Sequence, residues 1–294
     1  MVPRLGFAFA AVITLAAQTS TMAADRIRLA VQRTGTLAWE LDVIRMHGLD
    51  REFDLAIETV ELASTEAGKI ALKGGSADLM LSDWIWVARE RSLGDNLVFY
   101  PSSSTLGAVM VPAHSSIREI VGLRGKKLAV AGGPLDKSWL LLQALARQSG
   151  LDLKKQTTVF CADLESIAMD DVMKGLGARG PVALVGYTFD STWAARNGST
   201  VERFLAAARQ AKDILASSEA EWQRLAPRIR VGDANALAIY RQRYGEGIVR
   251  RPLAEEEADA RALYLVLAEI GGAELVGPAR ELAAGTFYRP AAAE

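Results

Sequence analysis

Two stretches of this chain repeat one plan, and that repeat constrains the fold more than any other feature. Leu128-Ala129-Val130 is a short apolar run that suits a buried strand, and Gly132-Gly133 then lets the backbone turn sharply. Asp136 and Ser138 are capping residues for the helix-forming run Trp139 to Arg147. Earlier, Leu29-Ala30-Val31 leads to Gly35-Thr36, and Trp39 opens the run through Ile44. Both helical runs close on Gly-Leu-Asp, at Gly48 and Gly150, where glycine fits a helix C-terminal cap. A strand, a glycine turn and a helix N-terminus leave N–H groups unpaired, and such groups with the helix dipole attract anions. The repeat predicts two similar lobes whose helix N-termini face each other across a cleft. An α/β protein with two unrelated turns would carry the same signals.

Between the units, strands and helices alternate. Strand patterns cover residues 27–31, 55–61 and 77–81, and helix patterns cover 39–47, 65–73 and 85–91. This order predicts a mostly parallel sheet covered on both faces, with ligands beyond the carboxyl ends of its strands. Gly35-Thr36, Asp83-Trp84 and Gly132-Gly133 all fall at such ends. Strands at 97–100 and 106–111 flank Pro101 and the hydroxyl run Ser102 to Thr105, which reads as the first crossing between lobes. A short helix is expected at 117–123, strands at 157–161 and 182–187, and an almost wholly helical chain from Val201 to Gly285.

Composition excludes several function classes. A net charge of −1 without a basic run gives no footprint for nucleic acid. Arg4, the small and apolar run Gly6 to Ala17, and Thr21-Met22-Ala23-Ala24 read as a signal peptide cut after Ala23 or Ala24, with no cysteine there for a lipid. The apolar run is short for a membrane span. Cys161 is the sole cysteine, so no internal disulfide forms; burial at a strand end is its simplest reading. His47 and His114, the only histidines, offer no zinc spacing. Glu255-Glu256-Glu257 with Asp259 is the densest acidic cluster, and on a helix it reads as a solvated face rather than a metal site. No cofactor is expected.

Several pieces carry a family resemblance: Leu123-Arg124-Gly125-Lys126-Lys127-Leu128-Ala129-Val130, Gly74-Gly75-Ser76-Ala77-Asp78-Leu79, and Asn197-Gly198 followed by Val201 to Ala207. In their order and spacing the chain resembles periplasmic solute-binding proteins of ABC importers, in the nitrate, sulfonate, taurine and thiamine-precursor group. The resemblance implies a two-lobe periplasmic-binding-protein-like α/β fold of type II. Its expected parts are a signal peptide at 1–23, the first part of lobe 1 at 24–106, lobe 2 at 107–204 and a helical return to lobe 1 at 205–294. Only residues 162–181 separate the strand patterns at 157–161 and 182–187, so lobe 2 reads as short by one strand–helix unit.

The resemblance implies a monomeric periplasmic protein that binds a small, anionic solute and delivers it to an inner-membrane ABC permease, with no catalysis. The expected cleft residues are Gly35, Thr36, Trp39, Asp83, Trp84, Ser103, Ser104, Gly133, Asp136, Lys137, Ser138 and Tyr187, with Trp39 and Trp84 as flat apolar walls. Lys137, pointing inward, would suit an anion, and Asp83 would accept from a solute donor or hold Lys137 across the cleft. The alternatives are a periplasmic sensor or partner-binding protein outside transport, and an enzyme on the same fold. Enzymes related to this group use a cysteine-rich motif and a histidine, and this chain, with one cysteine, carries no such cluster.

Overall fold

The computed structural model describes residues 24–291 except 34, 106–107, 112–114, 129, 131–134, 157, 160–164 and 169–177. Its main sheet takes the order β2-β1-β3-β9-β4. The strands are β1 (Asp25–Gln32), β2 (Leu55–Leu62), β3 (Leu79–Asp83), β4 (Leu97–Ser103) and β9 (Val185–Asp190). β1 pairs in parallel with β2 and β3, while β9 runs antiparallel between β3 and β4. The apolar runs of β1 and β3 are buried on both faces, as a sheet with helices on either side requires.

The helices of the first lobe follow the strand–turn–helix order. α1 (Thr36–His47) follows β1, the short α2 (Leu49–Glu52) leads into β2, α3 (Thr65–Lys73) follows β2, and α4 (Trp84–Ser92) follows β3. In the second lobe, two-stranded ladders join β5 (Ala108–Val111) to β8 (Glu165–Ala168) and β6 (Lys127–Leu128) to β7 (Thr158–Val159). α5 (Lys137–Gln148) and the short α6 (Leu153–Gln156) pack beside them. The C-terminal part adds α7 (Ser191–Arg196), α8 (Gly198–Ser217), α9 (Glu219–Ile229), α10 (Ala234–Glu246) and α11 (Leu253–Val276).

Both Gly-Leu-Asp closings behave alike. Gly48 and Gly150 each take the left-handed conformation (φ 67° in both), and Leu49 and Leu151 behind them are buried.

Four expectations are revised. Residues 117–123 form a single 3₁₀ turn (Ile120–Leu123) rather than a helix. The strand expected at Val182 begins at Val185, because Ala183 N–H donates to Glu256 of α11 instead of to a neighbouring strand. Strand β8 lies in the stretch read as a bare connection. α11 ends at Val276, and the chain then runs back along the sheet edge, where Phe99 N–H donates to Thr286 and Tyr288 N–H donates to Phe99. The reason is shared: these short segments take their partners from distant elements, and no local period records that.

β9 also moves a boundary. It is fully hydrogen-bonded in the first sheet, so the chain is back in lobe 1 by Val185, ahead of the expected return at 205. The segment leading into it is held by α11, whose Glu256 accepts from Ala183 N–H and whose Asp259 accepts from Arg179. Arg251 links Asp259 to the Pro181 carbonyl. Burial pushes the Glu256 carboxyl up. Burial acts likewise on Asp259, but Arg251 and Arg179 outweigh it and hold that carboxyl below its ordinary range. Two of the four residues in the acidic cluster therefore serve this crossing.

Candidate functional site

A cavity of about 830 Å³ opens at the carboxyl ends of β1, β2 and β3. Gln32 and Ala30 of β1, Leu62 of β2, and Met80, Ser82 and Asp83 of β3 form its floor, and the start of α5 forms the opposite wall. Three helices begin at its edge. Gly35 precedes α1 in a conformation (φ 109°, ψ 172°) open essentially only to glycine, and no side chain caps that helix. Of the first-turn N–H groups of α1, that of Ala38 donates to the Gly35 carbonyl, and no side-chain cap takes the others among the described residues. α3 is capped by Ser64, whose Oγ accepts from Ala67 N–H, and α5 by Asp136, whose Oδ1 accepts from Trp139 N–H.

Asp83 divides its two carboxylate oxygens. Oδ1 caps α4 by accepting from Trp86 N–H at 2.8 Å, and Oδ2 meets Lys137 Nζ of the opposite wall at 3.0 Å. The pair is part-buried, with side-chain exposures of 14% for Asp83 and 31% for Lys137. Lys137 is the first residue of α5, where the helix dipole disfavours a cation unless an anion stands nearby. A second pair, Lys69 with Glu66, lies on α3, and the Lys69 ammonium also sits 5.1 Å from the centre of the Trp86 ring. Ser82 Oγ is buried in the floor and has no hydrogen-bond partner among the described residues.

Of the residues expected from sequence, Gly35, Thr36, Asp83, Asp136, Lys137 and Ser138 line this cavity together. Gly133 lies outside the described residues. The other five sit elsewhere. Trp84 is fully buried beneath β3 and packs against Tyr264, so its ring walls the core. Trp39 faces away from the cleft into a cluster with Trp222, Tyr240 and Tyr244. Tyr187 is buried, its hydroxyl donating to Glu40 at 2.8 Å. Ser103 pairs with Ile248, and Ser104 N–H donates to the Gly247 carbonyl, so these two serines strap the first crossing to the loop between α10 and α11.

Sequence reasoning missed Ser64, Thr65, Lys69 and Ser82. A signal existed for Ser64 and Thr65: a small polar pair follows β2 and opens α3, the same strand–cap–helix plan without its glycines. Nothing in the sequence singled out Ser82, because strand alternation alone does not say which inward residue ends at a cleft.

No known family profile matches the chain, and no curated protein sequence matches it. Its fold is that of periplasmic binding proteins. The periplasmic aliphatic sulphonate-binding protein SsuA of Escherichia coli superposes with a TM-score of 0.68 at 20% identity, covering 90% of this chain and 92% of that one. The alkanesulfonate-binding protein SsuA of Xanthomonas axonopodis pv. citri, bound to MOPS, gives 0.63 at 19% identity, with 90% and 98% covered. An ABC transporter structure from Parabacteroides distasonis gives 0.60 at 11% identity, with 90% and 98% covered. The sulfonate-binding group named on sequence grounds is thus among the structural neighbours, all of them at identities that speak to the fold alone.

Proposed function

We propose that this chain is the solute-binding component of an ABC importer, exported to the periplasm, and that it holds a small organic anion in the cleft between β1–β3 and α5. The observation that carries the reading is the convergence of the uncapped N-terminus of α1, the N-termini of α3 and α5, and the Lys137 ammonium on one cavity. Fixed amide dipoles and one cation, aimed into a partly closed space, favour a compact negative group. Ser82 Oγ supplies a further hydroxyl that an acceptor on the solute would satisfy. The apolar patch of Leu37, Leu62, Met80 and Leu184 suits a short hydrocarbon portion. Such a surface matches an alkanesulfonate, the ligand class of the E. coli and Xanthomonas sulfonate-binding neighbours.

Among the described residues the cleft carboxylates Asp83, Asp136 and Glu66 serve as ion-pair partners and helix caps, which agrees with binding and release. Delivery to a permease follows from the same reading, as does export: the first strand begins at Asp25, whose carboxylate is held by Thr200 and Arg203, directly after the expected cleavage site.

The test is isothermal titration of the purified mature chain with ethanesulfonate, taurine, nitrate and sulfate. Saturable binding of at least one organic anion, lost in Lys137→Gln, is the expected result. Absence of binding across the series refutes the anionic reading. Bound ligand should also raise the melting temperature, since a ligand at about a hundred times its Kd adds about 2.7 kcal/mol to the folded state.

A further inference from the structure

Asp83 and Lys137 stand on opposite walls of the cleft, one ending a strand of the first lobe and the other opening a helix of the second. Their ion pair at 3.0 Å is a direct side-chain link across the space that the solute would occupy. We infer that the Asp83–Lys137 pair is an internal latch: the Asp83 carboxylate occupies the place of the solute's anionic group on Lys137 and holds the ligand-free lobes together. The inference rests on the proposed solute reading for the identity of the displacing group, but the latch itself makes a claim about the ligand-free protein.

The geometry supports competition over independent roles. Lys137 Nζ has Asp83 as its ion-pair partner, and its position at the head of α5 demands an anion beside it. Asp136 caps α5 at Trp139 through Oδ1, and among the described residues no ion pair joins it to Lys137. Glu66 is mostly exposed and paired with Lys69 on α3. An incoming anion therefore competes with Asp83 for Lys137. Asp83 can release it at low cost, because its other oxygen keeps capping α4 and its partner, 31% exposed, is partly screened by solvent. A latched cleft is closed yet unable to receive the anion on Lys137, so it subtracts from the binding-competent population. The latch would lower affinity while keeping the empty protein compact and distinct from a loosely hinged one.

Small-angle scattering of the ligand-free full mature chain tests this without any ligand. Asp83→Asn retains the cap on α4, since asparagine caps as well as aspartate, and removes the charge. Lys137→Gln removes the cation, and Lys137→Arg keeps it. At about 0.01 M salt, Asp83→Asn and Lys137→Gln should show a larger radius of gyration than the wild type and Lys137→Arg. Raising salt to about 1 M, where screening acts over about 3 Å, should expand the wild type toward the two uncharged variants and leave those unchanged. Equal radii for wild type and Asp83→Asn at low salt overturn the latch.

Titration with ethanesulfonate supplies the second arm. Asp83→Asn should bind about three- to tenfold more tightly than wild type, the gain from no longer displacing a part-exposed ion pair. Weaker binding in Asp83→Asn overturns the inference in favour of direct solute contact by Asp83. A wild type that ignores ethanesulfonate counts against the anionic-solute reading alone, and the scattering comparison then decides the latch by itself.

Discussion

Glu40 shows how one residue changes meaning between sequence and structure. In the sequence it interrupts an apolar run. In the structure it is 3% exposed at the centre of a buried polar cluster. Lys212 Nζ of α8 approaches its Oε1 at 2.5 Å and Ser102 Oγ at 3.0 Å, and the Tyr187 and Tyr244 hydroxyls donate to its two oxygens. Removing one partner of a buried pair leaves a charge that water cannot reach, at a cost of about 3–5 kcal/mol. Lys212→Met should therefore lower stability in urea unfolding by about 3 kcal/mol, toward the low end, because both tyrosines still donate to Glu40. The same cluster predicts an alkaline limit. Burial, then the Glu40 charge, pushes both tyrosines well above the usual 10. Unfolded tyrosines ionise near pH 10 while the folded ones keep their protons, so the stability they contribute is full below about pH 10 and is lost as pH rises above it. Tyr187→Phe should make stability fall less steeply between about pH 10 and 12, measured by denaturant titration at each pH.

At the scale of elements, both lobe crossings are strapped rather than free. The first crossing, at Ser103 to Thr105, lies against Gly247, where a Cβ would sit 1.7 Å from Thr105 Oγ1 and 3.0 Å from the Thr105 nitrogen. Thr105 Oγ1 also donates to the Arg243 carbonyl. The second crossing, at Arg179 to Leu184, is held by Glu256 and Asp259 of α11. α11 packs on both α4 and α5, so one helix touches both lobes. Gly247→Ala should destabilise the protein by about 1–3 kcal/mol by forcing the strap apart. Gly245→Ala, two residues away in α10 with open space around it, should instead be neutral or stabilising by up to about 1 kcal/mol. Thermal unfolding of the two variants side by side checks this. Similar losses in both would show that the tight contact at Gly247 does not matter.

At the scale of the molecule, the two-lobe plan makes closure the expected response to a solute that touches both walls, since only differential affinity shifts such an equilibrium. Saturating ethanesulfonate should leave the wild type compact even at about 1 M salt, because the solute then does what the screened ion pair cannot. Scattering with and without the anion measures this, and expansion despite saturation would place the ligand on one lobe only. Export belongs to the same scale. The secreted chain should begin at Ala24 or Asp25, and mass spectrometry of periplasmic protein reads the mass directly; a retained Met1 refutes cleavage.

The sequence by itself determined the alternation of strands and helices in the first lobe, the cap at Asp136, and the two Gly-Leu-Asp closings. These depend on neighbours within a few residues, so local period and capping chemistry record them. Six of the twelve residues it singled out for the cleft line one cavity, because helix N-termini at strand ends carry a local signature. Tertiary structure alone decided the rest. It turned Trp39, Trp84 and Tyr187 inward to aromatic and polar partners, since a ring at a strand end reads the same whether it faces a cleft or a core. It brought Glu40 to Lys212 across a sequence separation no pattern spans, and of the two roles open to Asp83 it gave the ion pair with Lys137. Which buried charge is structural and which is poised for a solute is a matter of what stands opposite, and that is settled only when the lobes meet.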